Sequence, residues 1–231
     1  MEFGKIESLW RYPVKSLIGE SLSSFEINDR GVSGDRLYAV SNLDGKFGSG
    51  KDTRRFRRID GLFSMSAVTT ENGISINFPD GKVLTDNDPS INDQLSQTLG
   101  QSVTLTKEDN VPHFDDGAIH ILTTSSLSLL HDQLPQCGID PRRFRPNIVI
   151  AGQLHDQELL GKIVNIGTAT LEITHKTERC RMITIDRPGL ESRPEILKMV
   201  SQNFGLNFGV YARVISIGSV SVGDTVEIIQ K

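Results

Sequence analysis

Short apolar runs broken by glycine-bearing turns constrain this chain more than any other feature. The pairs Asp44-Gly45, Asn72-Gly73 and Asp80-Gly81 each stand between stretches in which β-branched or aromatic residues partly alternate with polar ones. Asn and Asp tolerate positive φ and Gly adopts it freely, so such pairs close tight hairpins. "RLYAVSNLDGKF" and "SAVTTENGISINFPDGKVL" therefore read as hairpins, with "SLWRYPV" and "SLSSFEIN" as strands before them. A helix follows. Asp88 is its expected N-cap, Pro89 fits the first turn, Ile91, Leu95 and Leu99 recur every four residues, and Gly100 ends it.

A second β-rich section begins near residue 110. "AIHILTT" reads as a strand running into "SSLSLLHDQL", a helix capped by Ser or Thr. "RFRPNIVIAG" and "KIVNIGTATLEITHK" are further strands, the latter expected to bend at Gly167. "PEILKMVSQNF" is a short helix opened by Pro194, with Ile196, Leu197 and Val200 on one face. The last stretch, "VYARVISIGSVSVGDTVEIIQ", supplies two or three strands. Many short strands and few helices favour a β-barrel over a layered α/β fold. The expected organisation is 1–110 and 111–231.

The balance of 37% hydrophobic and 23% charged residues is that of a soluble globular protein. A net charge of −4 argues against broad nucleic-acid binding. No apolar run approaches membrane-spanning length, and "MEFGKIESLWRYPV" has no secretory pattern, so a cytoplasmic protein is expected. Two cysteines, Cys137 and Cys180, build neither a disulfide framework nor a four-cysteine metal site.

Cys180 stands out because arginines flank it in "HKTERCRMITIDRPG". Nearby positive charge favours a thiolate, which is both nucleophile and metal ligand. On a strand, however, Arg179 and Arg181 would point away from the cysteine's face. A small core residue is the alternative reading, and the one kept for Cys137. The clusters "RRFRR" (54–58) and "RRFR" (142–145) suit an anion pocket, since guanidinium grips phosphate in a bidentate way. Solvated surface pairing is the favoured reading of the first, whereas Arg145 and Asn147 stand at the mouth of an apolar strand. "TTSS" (123–126) offers hydroxyls and free N–H groups at a helix start, for an anion or for simple capping. Lys15 and Ser16 in "YPVKSL" could hold a phosphate or close a turn. P-loop, dinucleotide, nucleophile-elbow and H-E-x-x-H patterns are missing. His120 or His175 could partner Cys180 in thiol catalysis, but no spacing demands it.

Taken in order, "YPVKS", "GDRLYAVSNLDGKF", "HILTTSSL", "RFRPNIVI", "ERCRMITID" and "GVYARVISIGSVSVGD" resemble the MOSC family, named for the C-terminal domain of molybdenum-cofactor sulfurases. The resemblance covers nearly the whole chain. It implies a MOSC β-barrel (111–231) packed with an N-terminal β-barrel domain (1–110), mostly β with a few short helices. By similarity to amidoxime-reducing components, it implies that Cys180 ligates molybdenum held by molybdopterin, with thiolate as a suitable soft ligand. It further implies cofactor-binding roles for Lys15, Ser16, Arg36, Thr124, Ser125, Arg145, Asn147, Thr177 and Arg179. Asp186 falls where relatives keep an acid near the metal. The implied activity is reduction of small N-hydroxylated compounds. Its electrons would come from an external flavin or iron–sulfur donor, because no cysteine-rich domain precedes Lys231. A sulfur carrier using a Cys180 persulfide, or a cofactor-delivery module, is the alternative.

Overall fold

A computed structural model describes residues 2–229. The first half runs β1 (Glu2–Arg11), β2 (Glu20–Leu22), β3 (Ser24–Asn28), β4 (Gly31–Val32), β5 (Tyr38–Asn42), β6 (Phe47–Ser49), β7 (Phe56–Arg58), β8 (Ser66–Thr70), β9 (Gly73–Asn77) and β10 (Val83–Thr85). Helix α1 (Ile91–Leu99) and β11 (Val103–Lys107) follow. The second half runs β12 (Ile119–Thr123), α2 (Thr124–Gln133), β13 (Ile148–Gly152), β14 (Ile163–Ile166), β15 (Ala169–Glu178), α3 (Pro194–Phe204), β16 (Asn207–Ser216), β17 (Gly218–Ser221) and β18 (Thr225–Ile229). No helix among the described residues is long and apolar enough to cross a membrane.

Seven strands close into a barrel in the order β13-β12-β16-β15-β14-β18-β1, with β1 returning to β13. Among the barrel's described pairs only β12–β13 is parallel, and α2 makes the crossover that a parallel pair requires. β1 closes the barrel. Ile6 and Leu9 both face its core, although three residues apart they would lie on opposite faces of a regular strand. A bulge solves this: Ile6 pairs with Ile150 and Ser8 with Val149, so Glu7 is an extra residue that resets the alternation. The seam also needs glycine. A Cβ on Gly4 would lie 2.4 Å from the Ala151 carbonyl oxygen.

Chain from before residue 110 thus enters the barrel, and β3 pairs with β17 as well. The barrel core combines Ile6, Leu9 and Phe25 with Ile121, Ile150, Leu171 and Val226. A second core, from Val14 to Val103, lies among β5, β8, β9 and α1. Helices α2 and α3 pack Leu130, Ile196 and Val200 on Phe208 of β16.

Most of the expected elements are present, with informative shifts. Ser90, not Asp88, occupies the N-cap of α1; the Asp88 carboxylate accepts from the Ser90 N–H (2.8 Å) and ends the preceding turn instead. Gly100 closes that helix in the left-handed region. The β8–β9 turn is Glu71-Asn72, one residue earlier than Asn72-Gly73 suggests, because Thr70 pairs directly with Gly73. Gly167 does not bend one strand. It turns the chain between β14 and β15, where Ile166 pairs with Ala169. Thr123 caps α2, its hydroxyl accepting from the Ser126 N–H (3.3 Å).

Buried Asp156 ties these layers together, accepting from the Thr123 N–H (2.6 Å) and the Gly209 N–H (3.0 Å). Burial lifts its carboxyl from 3.8 to about 6. Between those values the folded chain keeps a proton that the unfolded chain has lost, so this group makes stability fall as pH rises through the window. Denaturant titrations from pH 4 to 6 should show that slope, and Asp156→Asn should flatten it. Truncating the barrel core by Ile150→Ala should lower unfolding free energy by about 2–5 kcal/mol, read from the urea midpoint.

Candidate functional site

Cys180 lies just past the end of β15. Thr177 lies in that strand and Arg179 continues its face just past the end, where the chain departs from it after Glu178. That departure turns Cys180 onto the same cleft as Thr177 and Arg179. The expectation that both flanking arginines face away from the cysteine is corrected for Arg179. Arg181 stays exposed and pairs with Asp60 (3.6 Å).

Other segments bring further cations to this cleft. Lys15 and Ser16 follow β1, where Val14 bridges to Tyr38. Arg36 precedes β5, its N–H donating to the Tyr12 carbonyl (2.7 Å). Arg143 and Arg145 come from the loop before β13. Lys15, Ser16, Arg36, Arg145, Thr177, Arg179 and Cys180 therefore line one cleft, with Arg143, Asp115, His120 and Tyr211. Ser16, Arg36 and Arg145 have φ of 65°, 50° and 57°. These are three of the four non-glycine residues with positive φ among those described, and such strain concentrates at functional sites.

The electrostatics are lopsided. Lys15 is 2% exposed, donates to the Asp115 carboxylate (2.8 Å) and stands over the Phe56 ring. Burial lowers its pKa, opposed by Asp115. Arg145 donates to the Leu17 carbonyl (2.6 Å) and stacks 4.1 Å from the Tyr12 ring centre. Arg179 donates to the carbonyls of Phe208 (2.6 Å) and Phe144 (3.0 Å) and to His120 Nε2. A guanidinium has no acceptor, so Nε2 must accept; the His120 proton sits on Nδ1 and points to the Arg145 carbonyl (3.3 Å). Burial, reinforced by Arg179, holds this imidazole neutral. Burial also brings Arg145 and Arg179 down to about 10.

Several donors there lack partners. Arg143 Nε and Nη1, Arg145 Nη2 and Thr177 Oγ1 are buried without a hydrogen bond. Unpaired buried donors are costly, and this set fits an anion with several acceptor oxygens, such as a phosphate ester. A soft thiol lies beside them. The described residues contain no His/Cys/Asp/Glu cluster able to hold a metal by itself, so a metal at Cys180 would need ligands from a bound group.

Four expected site residues lie elsewhere. Asn147 is fully buried behind the cleft, accepting from the His120 N–H (3.1 Å) and donating to the Trp10 carbonyl (3.2 Å). Thr124 accepts from the Gly152 N–H, and Ser125 donates to the Gln153 carbonyl. Asp186 is exposed and lines a neighbouring cavity. In the cluster 54–58, all four arginines are exposed and only Phe56 is buried, so it is a solvated surface segment. Asp115 and Tyr211 escaped notice because no local pattern marks them. Arg143 was visible within "RRFR", overshadowed by its neighbour Arg145.

Comparisons with known proteins agree with this architecture. The MOSC domain matches residues 96–227, and the MOSC N-terminal beta barrel domain matches residues 3–120. The chain is 37% identical over 90 residues to a molybdenum cofactor sulfurase of Drosophila ananassae, a match covering 36% of this chain and 12% of that protein. It is 23% identical to mitochondrial amidoxime reducing component 2 of Rattus norvegicus, across 97% of this chain and 83% of the relative. The solved YUAD protein from Bacillus subtilis shares the fold, with a TM-score of 0.55 and 15% identity over 97% of this chain and 94% of its own. With its domain match spanning more than half of its length, the chain belongs to the MOSC family.

Proposed function

We propose that the cleft holds a molybdenum–molybdopterin cofactor, with Cys180 as the metal's protein ligand, and that the chain reduces small N-hydroxylated compounds. The observation that carries this reading is the ring of buried, unpartnered donors on Arg143, Arg145 and Thr177 beside a thiol. Lys15, Arg36, Arg145 and Arg179 would neutralise the phosphate, while Ser16 and Thr177 add hydroxyls. Asn147 would act from behind, holding the His120 backbone and the β1 end in register. Thr124, Ser125 and Asp186 stay outside this binding set. When bound, the cofactor supplies the two-electron chemistry that no side chain offers. The overall reaction takes an N–OH group, two electrons and two protons to N–H and water. The names of the amidoxime-reducing relatives support that substrate class. Electrons would come from a separate flavin or iron–sulfur protein.

The side chains leave about 70 Å³ open between them, room for a phosphate-sized group. A pterin ring needs more room than that, and at the cleft wall the exposed side chains of Lys51 and Glu178 are free to move. Both cysteines are free thiols, which suits a reducing compartment such as the cytoplasm. One observation favours a second reading: Cys180 is partly exposed, so its sulfur could carry and exchange a persulfide.

Protein from a host that makes the cofactor separates the two. Stoichiometric molybdenum and pterin support the reductase, whereas metal-free protein with cyanide-labile sulfur supports the carrier. Cys180→Ser should leave the thermal midpoint nearly unchanged while turnover with an artificial reductant collapses; a lower midpoint with normal turnover per folded molecule would return Cys180 to a packing role. Arg145→Leu removes a charge-assisted hydrogen bond of about 1.5–3 kcal/mol. Pterin retention on dialysis should then weaken by roughly 10- to 150-fold.

A further inference from the structure

Beside the cleft lies a second cavity of about 450 Å³ that the binding set above does not use. Its walls are largely apolar, with Ile59, Leu62, Phe63, Met182 and Ile185 prominent, and it has the size of a small-molecule pocket. Met182 lines both spaces, so one side chain forms the partition between them. That partition packs on bare backbone: a Cβ at Gly50 would lie 2.5 Å from the Met182 Sδ. The Met182 carbonyl is pinned by Arg187 Nη2 (2.6 Å), and the Arg187 guanidinium stacks 3.9 Å from the Phe63 ring centre. The backbone is thus held while the flexible thioether can change rotamer.

We propose that this cavity receives the apolar body of the substrate, and that Met182 is the movable partition past which the N–OH end reaches the Cys180 cleft. This rests on the reductase reading and adds a substrate class to it. The lining decides against the cofactor as occupant, because a pterin would leave its many polar groups unpaired against Ile59, Leu62 and Ile185. The volume accommodates a substituted ring with room to spare. Exposed Asp60 and Asp186 share the wall with the Arg187 guanidinium, and Asp60 is paired with Arg58 (3.0 Å) and Arg181 (3.6 Å), so the lining selects by its apolar surface and not by charge. The fitting class is an N-hydroxylated compound carrying an aryl or similar apolar group.

Benzamidoxime and acetamidoxime share a reacting group and differ in the apolar body. Calorimetric binding to the purified protein should show benzamidoxime at least tenfold tighter, and kcat/KM with an artificial reductant should favour it similarly. Ile185→Trp, and the milder Ile185→Phe should Trp prevent folding, narrow the cavity and should cut that preference at least fivefold. Equal binding of the two compounds, or a preference unchanged in a folded Ile185 variant, overturns the proposal. Turnover that needs Cys180 but ignores Ile185 sinks the cavity assignment alone. Benzamidoxime binding that the Ile185 variants weaken, with no molybdenum-dependent turnover, upholds the cavity and sinks the reductase reading alone.

Discussion

Positive charge packed against positive charge is the interaction that the rest of this structure accommodates. Lys15, Arg36, Arg143, Arg145 and Arg179 meet in one cleft, and Asp115 and Asp35 are the carboxylates that pair directly with any of them. Taking a cation out of water costs several kcal/mol unless good partners replace the lost hydration. Backbone carbonyls do much of that work, from Leu17, Phe144, Phe208 and Glu191. The compensation is incomplete, as the unpartnered atoms of Arg143 and Arg145 record. An anion that completed it would also stabilise the fold, since a ligand favours the state that holds it.

The barrel makes such an arrangement tolerable. Rigid strands deliver Thr177 from β15 and His120 from β12, Arg179 follows directly after β15, and loops at the same end bring the remaining cations. Strained conformations at Ser16, Arg36 and Arg145 each cost about 1–3 kcal/mol and persist where the surroundings over-determine them. Tyr12 shows how. Its backbone N–H binds Asp35, its carbonyl binds the Arg36 N–H, and its ring lies under Arg36 and Arg145.

What the sequence reveals follows from the range of the physics involved. Hairpins and the end of α1 at Gly100 depend on local φ preferences and are legible in a few letters. So is the singular setting of Cys180 between arginines. Asp115 is illegible because its meaning comes from Lys15, a hundred residues earlier. The bulge at Glu7 is illegible because only the partner strand reveals that Ile6 and Leu9 face the same way. Asp186 stands close to Cys180 in sequence, yet the short turn Arg181–Ile183 carries it to the far side of Met182. Proximity along the chain is a poor guide once the backbone leaves a regular strand.

The double pairing of β1 has a consequence for the order of events at the ribosome. Ile6 waits for Ile150, and Gly4 waits for Val226, while the nearby β2 covers only the far end of the strand, from Leu9 to Arg11. At a synthesis rate of about 5–20 residues per second, the second partner emerges on the order of 10–40 seconds after the first strand. Until its partners emerge, the first half of β1 is an unpaired edge carrying Ile6, the kind of segment that chaperones shield. Its bulge at Glu7 and the charges of Lys5 and Glu7 make it a poor template for neighbouring chains while it waits.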